Sequence, residues 1–96
     1  MAKGYWVVNL EVKDLDLYDE YRAFVGPFLA AHSGRFVIRG GQAEVVEGNV
    51  LPRVVVVEFP SYADAVAAYH SAEYAEGKKK RLDAGAANFV IVEGAE

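Results

Sequence analysis

The sequence contains no cysteine, which excludes disulfides, thiol nucleophiles and thiolate-held zinc or iron–sulfur centres and leaves thiol usage silent on redox compartment. Histidine is nearly as scarce: there are two, His32 and His70, in neither a His-x-His nor a His-Glu-x-x-His spacing, so no metal centre is expected. No glycine-rich phosphate loop and no paired nucleophile and base can be found. Charges interrupt every apolar run well short of a membrane span. The opening segment MAKGYWVVNLEV has neither the apolar core nor the small-residue cleavage site of a secretory signal, so a cytoplasmic protein is expected. Positive charge is in deficit too. Ten Lys and Arg against fourteen Asp and Glu give a formal charge of −4, which makes nucleic acid and membrane surfaces poor partners.

What is present reads as one domain over residues 1–96. A chain of this length buries only about 60 to 65% of the surface its unfolded form exposes, which favours cover from a second subunit.

The most legible stretch is LPRVVVVEFPSYADAVAAYHSAEY, residues 51–74. Val54 to Val57 is a continuous apolar run between Pro52 and Pro60, the pattern of a strand covered on both faces. Ser61 stands three residues before Asp64, an N-cap arrangement, and Tyr62, Ala65, Val66 and Tyr69 share one helical face. Ser71 offers a further cap for a short third helical piece running toward Asp83.

Around this stretch, Gly4 to Lys13 alternates as a strand, with Trp6, Val8, Leu10 and Val12 on one face and Tyr5, Val7, Asn9 and Glu11 on the other. A helix follows from Asp14 or Asp16 to His32, with Gly26-Pro27 expected to kink it or split it in two. Arg35 to Glu47 reads as a strand interrupted by Gly40-Gly41, where missing side chains permit a bulge, a sharp bend or close approach by a ligand. It forms a hairpin with the strand Arg53 to Phe59 through turn residues Glu47-Gly48-Asn49. Asn88 to Glu93 is the last strand. The order strand, helix, strand, strand, helix, strand is the split βαβ pattern, an α+β fold with a four-stranded antiparallel sheet and its helices on one face. Apolar residues at both parities, such as Val90 with Val92 and Tyr5 with Val7, imply that a second copy covers the other face, sheet to sheet.

Candidate site residues follow from charge and aromatics in apolar surroundings. Arg39 presents a guanidinium fork suited to a carboxylate, on a ligand or on Glu58 of the neighbouring strand. His70, at a helix end, is the candidate proton carrier or else a helix-terminal residue. Tyr18, Tyr69 and Tyr74 could place hydroxyls at the rim of an aromatic pocket. Lys78 to Arg81 reads as a solvated helix face without function.

The segments GYWVVNLEV, GRFVIRGG, EFPSYADA, HSAEY and FVIVEG together resemble, along nearly the whole chain, the bacterial "domain of unknown function 1330" family. Where the family often has Ser-Pro-Glu-Tyr, this chain has Ser71-Ala72-Glu73-Tyr74. The resemblance implies a ferredoxin-like fold forming a dimeric α/β barrel, whose relatives include cofactor-independent monooxygenases, isomerases, and chlorite dismutase-like and haem-degrading proteins. A haem-degrading site would need Trp6, Asn9 and His70 to converge, and parity places Trp6 and Asn9 on opposite faces. The expectation is therefore a cofactor-independent small-molecule enzyme, monooxygenase- or isomerase-like, with no cofactor and a small anionic or aromatic ligand held by Arg39, Glu58, Tyr18, Tyr69 and Tyr74. The alternative is a non-catalytic dimeric module that binds a ligand or a protein.

Overall fold

The alternation in the first strand becomes the centre of the sheet. The computed structural model describes residues 2–96. Its elements are β1 (Gly4–Val12), α1 (Leu15–Ala31), β2 (Arg35–Arg39), β3 (Arg53–Phe59), α2 (Tyr62–Tyr69), α3 (Ala72–Ala84) and β4 (Gly85–Glu93). The strands run in the order β2-β3-β1-β4, every neighbouring pair antiparallel. Trp6 of β1 lies between Val57 of β3 and Ile91 of β4. Trp6, Val8, Leu10, Val55, Val57 and Phe59 point to the helical face and are buried. Tyr5, Val7, Asn9, Val54, Val56 and Glu58 point to the open one. No helix among the described residues is long and apolar enough to cross a membrane.

All three helices start on side-chain caps. Asp14 accepts from the Leu17 N–H, Ser61 from that of Asp64 and Ser71 from that of Tyr74, each at 3.1 Å. A cap of this kind contributes about 1 kcal/mol.

Three local expectations are corrected. Pro27 does not split α1 into two pieces; the helix is continuous from Leu15 to Ala31. The carbonyl deprived of its partner belongs to Ala23, on the exposed side of the helix, where water can take the missing bond. Strand β2 stops at Arg39 instead of running to Glu47, so the connection to β3 is a long irregular segment and not a tight turn. The β2 irregularity falls between Phe36 and Ile38, upstream of Gly40-Gly41. Gly40 itself adopts φ +67°, and a side chain there would strike the Arg53 guanidinium; its glycine serves close approach by a protein group.

The helices sit at unequal heights above the sheet. On α2 the buried residues are Ala65 and Ala68, and this helix lies against β1, β3 and β4. The small side chains permit close packing, and the Trp6 indole donates to the Ala65 carbonyl at 2.8 Å. In contrast, α1 presents Tyr18, Tyr21, Val25, Phe28 and Leu29 and packs chiefly on α3, where Gly77 leaves room for the Phe24 ring. Bulky residues hold α1 off the strands, and the space beneath it is not completely filled.

Candidate functional site

The space between α1 and the sheet is a small, partly open cavity of about 40 Å³. Its floor is Trp6, Val8, Leu10, Val55 and Val57, and its roof is Tyr18, Tyr21, Val25 and Leu29. Phe36 and Arg39 of β2 border one side, Phe89 and Arg81 the other. Walls that are mostly apolar with a few converging polar groups are the usual make-up of a small-molecule site.

Those polar groups are of one sign. Arg22, Arg39, Arg53 and Arg81 line the cavity and no Asp, Glu or His does, although the chain as a whole is net negative. Arg53 donates from Nε to the Tyr18 hydroxyl at 2.8 Å. The Arg39 guanidinium lies 4.3 Å from the centre of the Phe36 ring, a cation–π contact. Tyr21 and Tyr74 share a buried hydrogen bond between their hydroxyls at 2.7 Å. Burial first, and the neighbouring Tyr74 second, push the ionisation of Tyr21 well above the usual phenol range, so it remains a neutral hydroxyl.

Arg81 is the deepest of the four, only 5% exposed. Its buried Nε–H has no hydrogen-bond partner among the described residues, and its guanidinium lies 5.3 Å from the centre of the Phe89 ring. Burial works against its charge, but the oxygens of Tyr74, Tyr21 and Tyr69 more than offset this and hold its ionisation above the ordinary value.

The structure brings some of the expected residues together and separates others. Tyr18 and Arg39 line the cavity. Tyr74 stands directly behind Tyr21, fully buried and away from any rim. Tyr69 packs against Trp6 and Phe89, and its hydroxyl accepts from Lys78 Nζ at 3.1 Å. His70 is the exposed C-cap of α2, edge-on to Tyr69 and outside the cavity lining. Among the described residues no three His, Asp or Glu side chains gather as a metal site would require.

Glu58 lies on the opposite face of the sheet, and the expected Arg39–Glu58 pair does not form. Glu58 instead accepts from Arg35 Nε at 3.0 Å and from the Tyr5 hydroxyl at 3.1 Å. Burial tends to raise its carboxyl, but those two hydrogen bonds and the charges of Arg35 and Lys3 hold it below its ordinary value. The reason is the bulge. Arg35 stands opposite Glu58 and Phe36 opposite Val57, but beyond the bulge Arg39 faces Val55. A regular ladder would have put Arg39 opposite Val54 on the open face. One extra residue reverses the parity and turns Arg39 into the cavity.

Sequence reasoning missed Arg81, which it assigned to solvent, along with Arg22 and Arg53. A signal for Arg81 existed in helical phase: Tyr74, Gly77, Arg81 and Ala84 are the buried face of α3, at steps of three and four.

Solved structures share this architecture. The protein of unknown function RPA0582 from Rhodopseudomonas palustris superposes with a TM-score of 0.76 at 17% identity, over 99% of this chain and 84% of that one. A provisionally assigned antibiotic biosynthesis monooxygenase from Caulobacter crescentus CB15 gives 0.61 at 12% identity, over 99% and 92%. An ethyl tert-butyl ether d (ethd) family protein from Bacillus halodurans C-125 gives 0.57 at 12% identity, over 99% and 100%. No curated protein matches the chain significantly. Fold and neighbours define the class, a ferredoxin-like α+β protein with a four-stranded antiparallel sheet. Within that class the chain belongs to the family described as Domain of unknown function (DUF1330), which matches residues 3–95.

Proposed function

We propose that the protein binds a small planar anion in the cavity beneath α1 and transforms it without a cofactor, as a monooxygenase or isomerase does. The observation that carries this is Arg39. It lines the cavity and has no ion-pair partner among the described residues, so its charge is free to draw a ligand anion into the cavity. Tyr18, held by Arg53, is the hydroxyl placed to exchange a proton with a bound substrate. The Caulobacter protein's assignment supports the same reaction class. The absence of histidine and carboxylate from the cavity favours the second reading, a non-catalytic ligand-binding module.

Thermal unfolding with a panel of aromatic acids and quinone-like aromatics tests the site. A true ligand at a hundred times its Kd is expected to stabilise the fold by about 2.7 kcal/mol. No stabilisation across the panel refutes the pocket. Stabilisation without oxygen uptake or isomer formation, followed by electrode and NMR, selects the non-catalytic module.

The open face of the sheet supports a homodimer. Val90 and Val92 are 54% and 44% exposed, and Val7, Val54 and Val56 on the same face are only half-buried. A second copy offering the same patch covers both. Sedimentation at micromolar concentration is expected to show a two-chain species that Val90→Lys dissociates; a single-chain mass for the unsubstituted protein refutes it.

A further inference from the structure

We propose that Arg81 is the anchor for the ligand's charge: the cavity takes an organic monoanion head first, its oxyanion on the Arg81 guanidinium and its flat apolar body between Phe89, Trp6 and the underside of α1. This rests on the reading of the cavity as a ligand site.

A guanidinium carries five N–H donors and cannot shed its charge under physiological conditions. Arg81 is almost wholly out of solvent, forms no ion pair with any described residue and keeps one donor orphaned beside the cavity. Its surroundings are the Phe89 ring and Tyr21, Tyr69 and Tyr74, and none of these is a carboxylate. Long arginine side chains ordinarily reach for water. This one is held down because Gly77, one turn earlier on the same face, lets Phe24 of α1 close over α3. Buried charge without a partner is rare in folded proteins and clusters where a ligand supplies the partner.

The remaining arginines have a different station. Arg22 and Arg39 are exposed and Arg53 half-buried, so their charges draw an anion toward the mouth while remaining hydrated. The deep end offers the Arg81 guanidinium among mostly apolar walls. A carboxylate or phenolate fits there; inorganic phosphate would lose water from oxygens that find no new donors.

Trp6 is the only tryptophan and lines the cavity, so its fluorescence reports occupancy. Benzoate and benzamide share shape and differ in charge. Benzoate is expected to quench Trp6 saturably with a Kd at least tenfold below that of benzamide, and inorganic phosphate to compete poorly. Arg81→Gln is expected to raise the benzoate Kd at least tenfold and leave that of benzamide unchanged, with Arg81→Lys recovering part of the loss. Equal affinity for acid and amide in the unsubstituted protein overturns the anchor while leaving the cavity a ligand site, and it decides the matter even if the variants fold poorly. Unchanged benzoate affinity in a folded Arg81→Gln protein overturns it too. If neither compound binds, the anchor and the cavity reading fall together.

Discussion

Replacing Trp6 with alanine is expected to cost about 4 kcal/mol of folding stability, within the range for truncating a large buried aromatic. The indole is 2% exposed and its ring centre lies 5.0 to 6.1 Å from those of Phe59, Tyr69, Tyr74 and Phe89. These four come from β3, α2, α3 and β4, so the cavity left behind touches every layer and no single neighbour can collapse into it. The substitution also removes the donor to the Ala65 carbonyl. A domain of this size has roughly 5 to 14 kcal/mol in all, so the variant should melt on the order of 20 °C lower. Urea unfolding followed by circular dichroism measures this; a loss below about 2 kcal/mol would show that the aromatic cluster repacks.

Gly4→Ala is expected to lose about 3 kcal/mol, although the change adds one carbon, because that carbon meets unyielding atoms. A methyl at Gly4 would overlap the Ser61 carbonyl and the Tyr62 Cα, both backbone at the start of α2. Strand β1 is pinned on both sides by β3 and β4, so relief has to come from lifting α2. Lifting α2 pulls Ala65 from the Trp6 indole, and Trp6 emission is expected to shift to the red together with the loss of stability. A stable variant with unshifted emission would mean that the capping turn adapts without moving the helix.

Much of the fold could be read from the chain because burial and periodicity agree over β1, α1, β3 and α2. The departures have separate physical causes. In β4 the pairing begins at Gly85, not Asn88, because the register with β1 places Gly85 opposite Val12; tertiary pairing overrides the low strand preference of Gly-Ala-Ala. Gly85 is tolerated there for a steric reason: a side chain would strike the Glu11 carbonyl.

The candidate site was harder to see than the fold. Arg39 was recognised as unusual, yet its direction depends on an extra residue among Phe36, Val37 and Ile38, where three apolar side chains in a row carry no parity information. Arg81 was hidden by the three lysines that precede it, since a run of like charge masks the helical phase that buries one member. Tyr18 and Tyr74 were both picked out as hydroxyls, but only packing shows that Tyr74 serves Tyr21 and that Tyr18 serves Arg53.

The pairing of β1 with β4 also governs how the protein can form. These strands join residues 4–12 to residues 85–93, and the Gly94 N–H closes the ladder on the Lys3 carbonyl at 2.8 Å. The central strand is thus made well ahead of β4, and one of its two edges stays bare until that distant strand has been synthesised. Contacts so distant in sequence place folding in the slower part of the range for mixed α/β domains. During that interval the unpaired edge and the Trp6 face are open to other nascent chains, and aggregation during synthesis is the hazard built into this topology.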